Sequence, residues 1–154
     1  MDVFEEARQL SQVPIFSRLD KSRLKLVAFT SEQLRLGDGE FLFHLGDPSD
    51  SVYLILDGIL ELVVEHDNGE IDVILTRGKN GLIGEMGVIS NAPRSMSIRA
   101  SGSTTVLRIE ADTFMTLLTE NPSMSLYVMR DLSTKLSEST IRELKTLEHE
   151  PRAQ

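Results

Sequence analysis

The chemistry-bearing part of this chain is the run Leu82-Ile83-Gly84-Glu85-Met86-Gly87-Val88, followed past Ile89 to Ala92 by Pro93-Arg94-Ser95. Gly84 and Gly87 frame a short helical turn, and the first N–H groups of a helix have no acceptor within it, so they are free to face an anion. Arg94 adds a charge-assisted fork to the same anion. The Glu85 carboxylate accepts hydrogen bonds from hydroxyl groups, as on a sugar. One loop is thereby equipped to hold a phosphate and a ribose together.

Other chemistries lack their residues. A cupin-type metal site needs a clustered set of donors, and the three histidines His44, His66 and His149 lie in unrelated segments without paired spacing. With no cysteine there is neither a disulfide nor a thiolate nucleophile. There is no Gly-x-Ser-x-Gly elbow and no evident base for a serine. A Glu and an Arg that hold a phosphodiester do not hydrolyse it without an activated water or metal. The chain therefore reads as a binding module rather than an enzyme, with no cofactor and no metal.

The surrounding elements must position this loop. At 154 residues the chain has the length of one domain, residues 1–154. All ten glycines fall between Gly37 and Gly102. That confines the turn-rich, strand-rich part to the middle and leaves two glycine-free flanks of helical character. Gly37-Asp38-Gly39, Gly46-Asp47-Pro48, Asp57-Gly58, Asn68-Gly69 and Gly78 punctuate short segments, namely 41–43, 52–56, 59–64 and 71–75, with 97–100 and 105–109 continuing the series. Many short strands at such spacing imply an antiparallel sandwich or barrel, and Asn68-Gly69 is the clearest hairpin signal. Tyr53 reads as core. Upstream, Pro14-Ile15-Phe16 and an apolar set from Leu19 to Phe29 fit short helices, with Asp20 an N-cap. Downstream, a helix over 111–119 stops at Asn121-Pro122, and a long one runs from Pro122 to Glu148. Its apolar line is Met129, Leu132, Leu136, Leu144 and Leu147, interrupted by Ser139 and Thr140.

The net charge of −8, from 16 basic and 24 acidic residues, argues against broad contact of this chain with nucleic acid. No apolar stretch approaches the roughly 20 residues that span a bilayer, and the N-terminus lacks a basic start and an apolar signal core. The expectation is a cytoplasmic protein without membrane contact.

The 82–96 segment resembles the phosphate-binding cassette of cyclic nucleotide-binding domains, the family of the bacterial catabolite activator, kinase regulatory subunits and cyclic nucleotide-gated channels. The stretch from Phe43 to Gly58, with its Gly-Asp turn and Tyr-centred strand, is similar to the family's segment upstream of the cassette. The resemblance implies an α+β, mainly β fold: an antiparallel double-stranded β-helix, or jelly-roll-like β-roll, over 33–109, flanked by N-terminal helices (1–30) and C-terminal helices (111–149), the last one long. It implies that the Glu85 carboxylate takes the ribose 2′-hydroxyl, that Arg94 and Ser95 take the cyclic phosphate, and that the N–H groups from Gly84 through Met86 to Gly87 complete the cradle. Ser139-Thr140 falls where the catabolite activator has a hydroxyl pair that meets the purine, one from its own subunit and one from its dimer partner. Met86, Val88 and Met96 depart from the usual Leu, Leu and Ala, and Met96 stands to crowd the pocket wall.

The resulting expectation is a cAMP sensor, with cGMP the alternative ligand because a hydroxyl residue after the Arg selects cGMP in part of the family. Coupling would run through the C-terminal helix, which also offers an apolar stripe for a homodimer. The competing readings are the sensor part of a catabolite-activator-type transcription regulator without its DNA-binding part, and a family member with an empty pocket that serves as an interaction scaffold.

Overall fold

The computed structural model describes residues 2–149; residues 1 and 150–154, which the single-domain reading includes, lie outside the described residues, as does the side chain of His149. Three helical pieces precede the sheet: α1 (Val3–Ser11), a 3-10 turn over Pro14–Phe16, and α2 (Lys21–Thr30). The Asp20 carboxylate caps α2 as expected, accepting from the Arg23 N–H at 2.9 Å. Six strands follow, β1 (Glu32–Leu36), β2 (Phe41–Phe43), β3 (Ser51–Glu65), β4 (Ile71–Arg77), β5 (Leu82–Ile83) and β6 (Ser97–Glu110), with the short helix α3 (Glu85–Ser90) between the last two. Helices α4 (Ala111–Glu120) and α5 (Pro122–His149) close the chain.

All strand pairs are antiparallel. The sheet runs β1-β6-β3-β4, with β2 on β6 and β5 on β3. This is the mainly antiparallel β-roll with a long C-terminal helix that the sequence implies. Asn68-Gly69 makes the β3–β4 hairpin, with Gly69 at φ +88° and the His66 N–H donating to the Glu70 carbonyl at 2.8 Å.

Two turn assignments are corrected. Asp57-Gly58 does not end a strand, and the gap between 100 and 105 is not a break. β3 and β6 run through both, paired from Ser51↔Glu110 to Val63↔Ser97, with register shifts at Asp57. Gly58 (φ +94°) bends β3 against β6 so tightly that a Cβ there would stand 2.7 Å from the Ser103 carbonyl oxygen. The glycine therefore kinks a continuous ladder, as glycines do where a sheet must curl.

Period-two alternation on β3 builds two cores. Val52 and Leu54 face the helices, packing with Phe16, Val27, Phe114, Leu117, Met124 and Val128. Tyr53 and Ile55 face the inside of the roll with Leu60, Ile83, Ile98 and Val106. Met124 and Val128 anchor the first turns of α5 in the former cluster. From there α5 runs on past the cassette, where its Lys135 reaches Leu82 and Glu85.

Candidate functional site

The cassette is built outward from β3. Leu82 and Ile83 pair with Leu54 and Tyr53. Gly84 then turns the chain at φ +83° into α3, which ends at Asn91 in the left-handed region (φ +53°). A side chain at Gly84 would collide with the Arg94 guanidinium, and one at Gly87 with Ser49. Both glycines are thus demanded by close packing, beyond any need to bare the α3 amides.

Arg94 is held by the loop before β3. Its N–H donates to the Asp47 carbonyl and its carbonyl accepts from the Gly46 N–H, both at 2.8 Å. The Ser49 hydroxyl fixes the same turn by donating to the Ala92 carbonyl at 2.6 Å. The Gly46-Asp47 turn is therefore a clamp on the cassette.

The Arg94 guanidinium is 4% exposed as a residue. It donates through Nη2 to the Ser51 carbonyl (2.7 Å) and through Nη1 to the Gly84 carbonyl (3.0 Å). Its Cζ lies 4.2 Å from the centre of the Phe43 ring. The nearest carboxylate, that of Asp50, is 3.8 Å away and largely exposed. Arg94 Nε is buried without a hydrogen-bond partner among the described residues. Burial pulls the guanidinium below its ordinary pKa, while the negative charges of Asp50 and Asp47 oppose the shift. A buried cation met mainly by neutral carbonyls is an incompletely compensated charge, which an incoming anion relieves.

Glu85 is 2% exposed and is met from α5. Lys135 Nζ donates to Glu85 Oε1 at 2.6 Å and to the Leu82 carbonyl at 2.7 Å, and lies 2.9 Å from Asp131 Oδ2. One turn on, Glu138 Oε2 accepts from Arg77 Nη2 of β4 at 2.9 Å. Two ion pairs thus moor α5, one to the cassette and one to the sheet.

Between these groups lies a cavity of about 310 Å³, the lower end of the range for small-molecule sites. Gly84, Glu85, Met86, Gly87, Arg94 and Ser95 form one end, and Ser139 lines it from α5. Thr140 is not among its walls; it is exposed, and its hydroxyl donates to the Leu136 carbonyl at 3.1 Å. Met96 does line the cavity, as do Leu62, Ile74 and Leu75. Sequence reasoning missed Lys135, Arg77, Glu138 and Ser51. The available signal was Lys135 one turn before Ser139, hence on the neighbouring part of the same helix face. Among the described residues no cluster of His, Asp and Glu is placed to hold a metal, and no helix is long and apolar enough to cross a membrane.

A β-roll that sets a buried arginine and a buried carboxylate at one end of a cavity, with a C-terminal helix as its wall, defines the class of cyclic nucleotide-binding modules. The chain belongs to the cyclic nucleotide-binding domain family, which its sequence matches over residues 33–121. It is similar to a cyclic nucleotide-binding-like protein from Brucella abortus, with a TM-score of 0.60 at 32% identity, over 75% of this chain and 98% of that one. It also shares its fold with a cAMP-binding acyltransferase from Mycobacterium smegmatis, with a TM-score of 0.76 at 24% identity, over 88% of this chain and 42% of that one. An uncharacterized NTE family protein of Mycobacterium bovis is 32% identical over 130 residues, 84% of this chain and 22% of that protein. The chain thus spans about a fifth of that relative's length.

Proposed function

We propose that this chain is a cytoplasmic sensor module that binds cAMP and transmits its binding through α5. The observation that carries the reading is Arg94: among the described residues, a buried guanidinium with one unpartnered nitrogen and no close buried carboxylate, beside the first amides of α3. The cyclic phosphate takes Arg94, Ser95 and the amides from Gly84 to Gly87. The ribose 2′-hydroxyl takes Glu85, and the purine meets Ser139. Among the described residues no cluster of His, Asp and Glu is placed to hold a metal that would activate a water, which supports a module that binds its ligand without turning it over.

Transmission follows from the moorings. Lys135 joins α5 to the carboxylate that receives the sugar, so a ligand that favours one placement of α5 shifts the population toward it, by no more than its differential affinity. The apolar stripe of α5 supports a homodimer, in which Thr140 faces the partner's ligand. The likeness to an NTE family protein supports a regulatory role beside a larger catalytic or signalling unit.

Isothermal titration with cAMP tests the reading. Micromolar or tighter binding that falls tens- to thousands-fold in Arg94→Ala is the expected result, since truncating one partner of a buried charge contact costs about 2–5 kcal/mol. Undiminished affinity in a folded Arg94→Ala protein removes the assigned role. A folded wild type that does not bind leaves the scaffold reading.

A further inference from the structure

Three polar side chains meet where the end of β2, the end of β3 and the start of β6 come together. Glu65 is the last residue of β3, and its carboxylate receives two donors. The Ser97 hydroxyl donates to Oε2 at 2.8 Å, and His44 Nδ1 lies 3.1 Å from both Oε1 and Oε2. An ionised carboxylate only accepts, so the histidine nitrogen carries the proton of this contact. The hydrogen bonds from His44 and then Ser97 hold the Glu65 carboxyl below its ordinary pKa, and it is charged at neutral pH. The Ser97 hydroxyl is buried, and with its one proton given to Glu65 it accepts from the Leu45 N–H at 2.9 Å. Stacking on Phe41, with ring centres 4.4 Å apart, fixes the His44 ring as well.

Both contacts land on the turn that clamps the cassette. His44 and Leu45 lead into Gly46 and Asp47, whose N–H and carbonyl engage the carbonyl and N–H of Arg94, and the Asp47 carboxylate closes the turn by accepting from the His44 N–H at 2.8 Å. None of His44, Leu45, Glu65 and Ser97 is among the walls of the cavity. Two effects of Glu65 on an anion at Arg94 therefore oppose each other. Its charge repels the anion through space, while its hydrogen bonds hold the turn that holds Arg94. The Glu65 side chain is 37% exposed, so water and salt screen the repulsion, whereas the hydrogen bonds act at contact. Bracing is the larger effect.

With the phosphate on Arg94 as in the proposed function, on which this rests, we infer that Glu65 is a positioning residue for phosphate recognition. Through Ser97 and His44 it braces the turn over residues 44–47, and through that turn the backbone of Arg94.

The test is calorimetric titration of the whole chain with cAMP for wild type, Glu65→Leu, Glu65→Gln and Ser97→Ala, with amide hydrogen exchange read by NMR in each. Glu65→Leu removes the charge and the acceptors together, whereas Glu65→Gln removes the same charge and keeps an acceptor for Ser97. Loss of a repulsive charge alone would tighten an anionic ligand. Glu65→Leu is expected instead to weaken cAMP about 5- to 10-fold, within the worth of one hydrogen bond, and Glu65→Gln to recover most of that loss. Ser97→Ala, the smaller change, is expected to weaken cAMP as well and decides the matter should Glu65→Leu not fold. In the weakened variants the Gly46 and Arg94 amides should exchange faster, while those of Leu54 and Val106, in buried strands, keep their wild-type rates. Unchanged or tighter binding in a folded Glu65→Leu protein overturns the inference, the latter leaving Glu65 as a repulsive charge. Failure of Glu65→Gln to recover affinity overturns it too, as does faster exchange at Leu54 and Val106 alongside the loss, which assigns the effect to general destabilisation. A folded wild type that binds no cAMP overturns the proposed function and this inference with it, an outcome distinct from the others.

Discussion

Lys135 Nζ donates to Glu85 Oε1 at 2.6 Å across 50 residues of sequence, joining the middle of α5 to the cassette. The lysine side chain is 13% exposed and that of the glutamate 3%. Breaking one partner of a buried pair costs about 3–5 kcal/mol, because the other charge is stranded. Lys135 keeps some water, so Lys135→Met is expected to lose about 3 kcal/mol, or about 6–12 °C in Tm for a chain of this size. Glu85→Gln in the Lys135→Met background removes the stranded charge and recovers part of that loss. Urea denaturation of the two single variants and the double variant closes the cycle. Equal midpoints for wild type and Lys135→Met would show that the contact contributes nothing.

Glu85 carries two assignments, the mooring of α5 and the sugar, and ligand chemistry separates them. A hydrogen bond to a charged group contributes about 1.5–3 kcal/mol, so Glu85→Gln is expected to weaken cAMP by about 10- to 150-fold. The same substitution should weaken 2′-deoxy-cAMP far less. If both ligands lose the same factor in titration, Glu85 only holds the helix.

The second mooring is sensitive to acid. The Arg77 guanidinium, hydrogen-bonded to Glu138, holds that carboxyl below the ordinary range. A carboxyl depressed in the folded state contributes stability above its unfolded value, about 4.3, and loses that contribution as the pH falls through the depressed folded value. Glu138→Gln is therefore expected to be less stable than wild type at neutral pH, with the gap closing as the pH drops below about 4. The pair is partly exposed, so added salt should narrow the gap as well. Thermal melts from neutral pH to about pH 3, at low and high salt, measure it; a gap that persists at the acid end assigns the effect to packing.

How much was legible follows from where each constraint acts. The cassette was legible because its demands are local. Gly84 must leave space for Arg94, ten residues on, so residue type and spacing carry the geometry. The moorings were not legible. Lys135 is bound to Leu82 and Glu85, and Arg77 to Glu138, across 50 to 61 residues, and a lysine or glutamate on a long polar helix reads as a solvated face until the fold brings its partner. Gly58 misled for a related reason. An Asp-Gly pair reads as a hairpin turn, yet Gly58 kinks a strand that runs on through it, and that curl is not displayed by sequence alone.

The same helix leaves an apolar line uncovered. Met129 is 56% exposed, Leu136 68%, Leu144 55% and Leu147 65%, while Leu132 is partly buried against the core. Met129, Leu136, Thr140 and Leu147 fall on one face by helical spacing, and Ser139 lies between that face and the cavity. The stripe thus does not lie across its own roll, and a two-fold helix pair is the simplest way to bury it. The wild type is expected to be a dimer at high micromolar concentration, and Leu136→Glu with Leu144→Glu a monomer, by sedimentation with and without cAMP. Placement of the hydroxyls sharpens the test. Ser139→Ala should weaken cAMP binding in either oligomeric state. Thr140→Ala, with its hydroxyl on the outward face, should weaken it only where the partner is present. A wild type that stays monomeric with saturating cAMP refutes the pairing, and a Thr140→Ala effect that survives in the monomeric background places that hydroxyl on its own subunit's ligand.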